Sequence, residues 1–141
     1  MSFLVDANVI IYSALLCEQR ESCLRVLEAV VGGAPGRTSP AVLEEVWHIE
    51  RRGRLGDLSG LTERAHRIFT PLLPVTDEAF ARALAIDSPQ LGTNDRVHAG
   101  TCLANGIPTI VSADRGFDRA RGLRRVDPLS APAVRRLLAL A

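Results

Sequence analysis

Near the N-terminus a short apolar run, Phe3-Leu4-Val5, stops at a single carboxylate, Asp6. No other stretch restricts the fold of this chain as much. An uninterrupted apolar run this short fits a strand covered on both faces, as in a parallel sheet. In open sheets of that kind ligands gather beyond the carboxyl ends of the strands, and Asp6 stands at that edge. A second run, Pro108-Thr109-Ile110-Val111, leads into Ser112-Ala113-Asp114 and again puts an acid just past a buried strand.

Between these runs the pattern is mostly helical. Val9, Ile10, Tyr12 and Ala14 to Leu16 imply a first helix. Cys23, Leu24, Val26, Leu27, Val30 and Val31 imply a second, stopped by Gly32-Gly33-Ala34-Pro35-Gly36. After a short strand at Arg37-Thr38, Ser39 caps a third helix with Pro40 in its first position. Its apolar face carries Val42, Leu43, Val46, Trp47 and Ile49, with Trp47 assigned to the core or a dimer interface, and it ends near Gly53. Leu58 to Phe69 reads as a helix, and Pro71 to Val75 as an edge strand, where prolines are tolerated. Thr76 or Asp77 caps the next helix, through Ala85, and Thr93-Asn94 caps another running to Asn105-Gly106, an αL stop. Arg124-Arg125-Val126 is a last strand, and Pro132 to Leu140 a terminal helix packed on the sheet. Strands alternating with helices give an α/β fold with a mainly parallel sheet.

The chain has 141 residues, which suits one domain over 1–141, and 47% of them are hydrophobic, enough for a core without disulfides or structural metal. All 17 basic residues are Arg, and the absence of Lys excludes P-loop NTPase chemistry. Aromatics make up only 4%, against a module that reads nucleic acid by stacking many bases. The net charge of +1 gives no global basic field, so a nucleic-acid partner has to be held by local patches. Cys17, Cys23 and Cys102 form neither a CxxC motif nor an even set and read as reduced thiols. With no signal segment and no membrane-length apolar run, the expectation is a soluble, cytoplasmic protein.

The chemistry lies in acids drawn from distant parts of the chain. Asp6 and Asp114 follow strands, while Glu44 or Glu45 and Asp95 open helices that follow the same sheet edge. Carboxylates gathered in one crevice repel one another and have raised pKa values. A hard divalent cation, Mg²⁺ or Mn²⁺, relieves that repulsion and lowers the pKa of an attacking water. At about 100° per residue, Glu45 lies at the edge of the apolar stripe beside Val42 and Ile49, whereas Glu44 points further out and reads as a solvated charge. His98, three residues after Asp95, reads as a satisfied helix histidine.

Four motifs in this order resemble those of the PIN-domain ribonucleases, and most closely the VapC-type toxins of bacterial toxin–antitoxin pairs. They are Phe3-Leu4-Val5-Asp6-Ala7-Asn8, Thr38-Ser39-Pro40-Ala41-Val42-Leu43-Glu44-Glu45, Asn94-Asp95-Arg96-Val97-His98-Ala99 and Val111-Ser112-Ala113-Asp114-Arg115-Gly116-Phe117. The resemblance spans nearly the whole chain. It implies a single PIN-like domain with sheet order 3-2-1-4-5 and an endoribonuclease dependent on Mg²⁺ or Mn²⁺. Asp6, Glu45, Asp95 and Asp114 match its catalytic acids, with Asp6 and Asp95 as direct metal ligands. Asn8 and Ser112 match polar positions that orient the acids or the substrate, and Asp118 is an auxiliary acid one helical turn past Asp114. Ala7 and Ala113 stand where Thr, Ser or Asn is frequent. The resemblance also implies RNA as substrate, a VapB-type antitoxin as partner, a toxin homodimer, and a heterotetramer or larger assembly with antitoxin. Arg96, Arg115, Arg51 and Arg52 are candidates to grip flanking phosphates.

Two rivals differ in class. A receiver or haloacid-dehalogenase-like phosphatase also places Asp after its first strand, but needs a Lys, and the phosphatase needs Asp where Asn8 stands. A catalytically inert PIN-fold binding module differs only in failing to bind Mn²⁺.

Overall fold

The computed structural model describes residues 1–140; Ala141, the last residue of the expected domain, lies outside them. Strand β1 (Phe3–Val5) is flanked by β2 (Gly36–Arg37) and β3 (Thr109–Val111), and β4 (Arg124–Val126) pairs with β3. Every pairing is parallel, in the order β2-β1-β3-β4. Leu4 lies opposite both Arg37 and Ile110, and Val5 opposite Val111, so the two central strands end level. Phe3, Leu4, Val5, Ile110 and Val111 are wholly buried, as continuous apolar runs require.

Among the described residues seven helices complete the fold: α1 (Ala7–Ser13), α2 (Arg20–Val31), α3 (Pro40–Arg52), α4 (Leu61–Phe69), α5 (Asp77–Ala85), α6 (Thr93–Ala104) and α7 (Ala131–Leu140). A 3-10 turn at Arg115–Arg119 joins β3 to β4. The predicted start of α3 holds: Ser39 accepts a hydrogen bond from the Val42 amide, with Pro40 at N1, and Gly53 ends the helix at φ +64°. Helix α7 packs against α2 and β4. Helices α5 and α6 cross closely because Gly100 faces Ala79 and Ala83; a Cβ there would lie 2.8 Å from the Ala83 amide nitrogen.

Four expectations need correction. The sheet has four strands, not five, because Pro71–Val75 forms no ladder. Two of its five residues lack an N–H, and its link to the sheet is one bond, Leu73 N–H to Thr38 C=O at 2.8 Å, supported by Arg37 donating to the Pro71 carbonyl at 3.1 Å. Helix α1 ends at Ser13, whose hydroxyl turns back to the Ile10 carbonyl, rather than at Leu16. Helix α4 starts at Leu61, since Gly60 adopts φ +81° and breaks any continuation from Leu58. Helix α6 is preceded by Gly92, so Thr93 and Asn94 fall inside its first turn. Among the described residues no helix is long and apolar enough to cross a membrane.

Candidate metal centre and cleft

The ends of β1 and β3 are carried one residue further by the backbone. Asp6 N–H donates to the Val111 carbonyl at 3.0 Å, and Ser112 N–H to that of Val126 at 3.1 Å. This sets Asp6 and Ser112 side by side at the rim. Asp6 is almost wholly buried and its carboxylate accepts three bonds. Oδ1 takes the Ala7 amide at 2.8 Å, which caps α1, and Oδ2 takes the Ser112 hydroxyl at 2.6 Å and Asn8 Nδ2 at 3.3 Å. Asn8 also donates to Ser112 Oγ at 3.1 Å and accepts from the Ala113 amide at 3.1 Å. Ser112 Oγ further accepts from the Asp114 amide at 3.0 Å. Asn8 and Ser112 thus form a lattice behind Asp6 and Asp114, and alanines at positions 7 and 113 leave it intact because their backbone amides serve. Asp114 in turn caps the 3-10 turn through the Gly116 amide at 2.9 Å.

Helix α3 contributes Glu45 and helix α6 contributes Asp95 and His98, and these two helices pack together. With Asp6 and Asp114 they line one cleft of about 790 Å³. Burial, then a hydrogen bond with Asp114, then the charge of Asp6 push Asp95 up to about 8. The same bond is the main influence holding Asp114 below the usual carboxylate range. Burial raises Asp6 despite the opposing effects of His98 and Ser112. Such a cluster holds more potential negative charge than the protein neutralises, and its donors are oxygen, which suits a hard divalent cation. Ligand atoms of Asp6, Glu45 and His98 all lie within 4.8 Å of one another.

His98 is the residue that sequence reasoning undervalued. It is fully buried, with Nε2 3.1 Å from Glu45 Oε1 and 3.9 Å from Asp6 Oδ1. Burial works to lower its pKa, but the bond to Glu45 and the charges of Asp6, Glu45 and Asp95 outweigh it and raise the value. The signal in the sequence was the three-residue spacing from Asp95, which puts both on one side of α6.

The remaining candidates separate. Glu44 is exposed on the outer wall of the cleft, beside Trp47, His48 and Arg51. Trp47 is 53% exposed and belongs to the cleft rim, not the core. Arg96 is not available to phosphate: its three guanidinium nitrogens donate to the carbonyls of Leu91, Ile86 and Ser88 and tie down the loop before α6. Arg52 leans on His48 at 3.4 Å, and Arg115 is exposed just past Asp114. Asp118 does not line the cleft; Arg125 grips both its oxygens, at 2.8 and 3.3 Å, and donates to the Ser112 carbonyl at 2.9 Å. Cys23 and Cys102 are buried thiols pushed up to about 12, chiefly by burial, which suits inert core residues.

A family model described as PIN domain matches residues 3–123. No curated protein sequence matches the chain. Among solved structures the fold is similar to a chain of the Rickettsia felis VapBC2 complex bound to a DNA fragment from its promoter, with TM-score 0.70 and 15% identity over 89% of this chain and 97% of that one. It is also similar to PAE2754 of Pyrobaculum aerophilum, with TM-score 0.63 and 18% identity over 100% of both chains.

Proposed function

The chain belongs to the PIN-domain family, and from that premise we propose that it is a Mg²⁺- or Mn²⁺-dependent endoribonuclease, the toxin of a bacterial toxin–antitoxin pair. The observation that carries this reading is the meeting of Asp6, Glu45, Asp95 and Asp114 in one cleft, where burial raises Asp6 and Asp95 above the usual carboxylate range. Asp6 and Asp95 would hold the ion, and Glu45 and Asp114 complete its acidic surroundings. The bound ion supplies a lowered pKa for the attacking water and neutralisation of charge on the phosphodiester. Asn8, Ser112 and the Ala7 amide fix the Asp6 carboxylate, so little reorganisation is needed when the cation binds. The Gly116 amide does the same for Asp114 Oδ1, and Ser112 Oγ holds the Asp114 backbone by accepting from its amide.

The substrate is a polyanion that must approach four carboxylates, so cationic and apolar contacts on the rim are needed to hold it. Arg51 and Trp47, one helical turn apart on α3, line the cleft, and Arg115 stands beside Asp114. They are assigned to flanking phosphates and to an unpaired base. The Rickettsia felis structure is a VapBC2 complex on promoter DNA, which supports a VapB-type antitoxin as partner; a toxin homodimer, a larger complex with antitoxin and cytoplasmic action belong to the same proposal.

The test is cleavage of cellular RNA in Mg²⁺ by the wild type and by Asp6→Asn, which keeps a side-chain oxygen to cap α1. Removal of the charge should lower the rate at least a hundredfold; an undiminished rate rejects the site. If the wild type neither cleaves RNA nor binds Mn²⁺ in a calorimeter, the inert binding module is the better description.

A further inference from the structure

The two strand-end acids are held by their surroundings: Asp6 takes three hydrogen bonds, and Asp114 takes the Gly116 amide. Glu45 has the longest side chain of the set and a single hydrogen-bond partner among the described residues, His98 Nε2 at 3.1 Å. Left alone, a glutamate on the wall of an open cleft samples several rotamers, and the entropy of fixing it weakens any ligand it holds.

The position of the imidazole proton decides what His98 does for Glu45. A histidine that ligates a metal through Nε2 carries its proton on Nδ1 and almost always donates it to a carboxylate, a carbonyl or water. Here Nδ1 is buried with no hydrogen-bond partner among the described residues. A buried donor without an acceptor is costly, whereas a bare acceptor nitrogen is tolerated better. Whether the ring holds one proton or two, Nε2 carries one, and it faces Glu45 Oε1 at hydrogen-bond distance. A protonated Nε2 has no lone pair to offer a cation. The same nitrogen lies 3.9 Å from Asp6 Oδ1.

We propose that His98 is a positioning residue, not a metal ligand: its Nε2–H clamps Glu45 Oε1 from beneath the cleft floor and holds the carboxylate, by its other oxygen, toward the cation. The inference rests on the metal-dependent reading of the cleft. It adds to that reading the exclusion of His98 from the cation's ligands, although Asp6, Glu45 and His98 are close enough to form a mixed set.

The experiment is Mn²⁺ binding, by calorimetry and by the electron paramagnetic resonance of the bound ion, for the wild type, His98→Gln, His98→Leu, Glu45→Gln and the double variant His98→Leu/Glu45→Gln. Gln places an amide N–H near the position of Nε2, so His98→Gln should stay within about threefold of the wild type. His98→Leu should bind at least tenfold more weakly, in the range seen when a ligand's supporting partner is removed. In the double variant the losses should not add, because His98 acts only through Glu45. Electron spin echo envelope modulation of Mn²⁺ bound to the wild type should show no directly coordinated ¹⁴N, a readout that needs no variant to fold. The proposal is overturned by a coordinated ¹⁴N, by additive losses, by a His98→Leu affinity equal to the wild type, or by failure of Gln to rescue in a protein whose melting is unchanged. Absence of Mn²⁺ binding by the wild type defeats the metal reading itself, and this inference with it. Binding that His98 variants leave untouched defeats only the inference.

Discussion

Ser112→Ala is the sharpest probe of how the cleft is built. A hydroxyl offers one donor and two acceptor sites, and Ser112 uses all three: it donates to Asp6 Oδ2 at 2.6 Å and accepts from the Asp114 amide at 3.0 Å and Asn8 Nδ2 at 3.1 Å. The side chain is wholly buried, so water does not replace these bonds. The bond to Asp6 is short and charge-assisted, and such bonds contribute about 1.5–3 kcal/mol. Stranding the Asp114 amide adds roughly 1 kcal/mol, while Asn8 keeps its bond to Asp6 and adds little. The expected loss is about 3 kcal/mol, read from urea melts at pH 7 in chelator. Thr38→Val supplies the control. Thr38 is equally buried but donates only to the neutral Val5 carbonyl at 2.9 Å, so its loss should be about 1 kcal/mol. Equal losses for the two variants, or less than about 1 kcal/mol for Ser112→Ala, would refute the claim that this hydroxyl steadies a charged carboxylate.

Other consequences can be checked separately. Glu50 on α3 caps α4, whose Gly60 has no side chain to do so: its carboxylate accepts from the Thr62 amide at 2.9 Å and the Gly60 amide at 3.1 Å. Thr62 first, then Gly60, hold its pKa below the usual range, so its stabilisation is present above the unfolded carboxyl pKa and lost as pH falls through the lower folded value. Glu50→Ala should therefore lower stability by about 1 kcal/mol at pH 7, and melts of the two proteins should converge in acid. Gly100→Ala should be destabilising by about 1–3 kcal/mol in a thermal melt, despite the better helix propensity of Ala, because the added methyl meets the backbone of α5. Trp47 is the sole tryptophan, so titrating the Asp6→Asn variant with a single-stranded RNA oligomer should quench its emission; an unchanged spectrum at saturation removes it from the substrate path.

What could be read from the sequence was whatever local pattern decides. Asp6 and Asp114 were visible because an apolar run ending in an acid fixes both the strand and the position of the carboxylate at its end. Ser39-Pro40 announced α3, and helical phase separated Glu45 from Glu44. Residues whose roles depend on a distant partner were not legible. His98 meets Glu45 from 53 positions away, and nothing near His98 encodes that meeting. Arg96 looks like a free cation until the carbonyls of the 86–91 loop are seen to surround it. Trp47 sits on the apolar stripe of α3 by count, yet is exposed at the cleft rim. The segment Pro71–Val75 lies at the edge where a strand belongs but has too few amide donors to form a ladder.

Under the proposed function Asp6 and Asp114 would each do two jobs, since their carboxylates also start the helical turns that follow them. A descendant of this chain that abandoned its chemistry would still be pressed to keep an oxygen at both positions simply to fold. Glu45 and Asp95 carry no such obligation. In judging whether a relative with this architecture is still a working enzyme, the helix-borne pair is therefore the informative one, and intact strand-end aspartates are weak testimony.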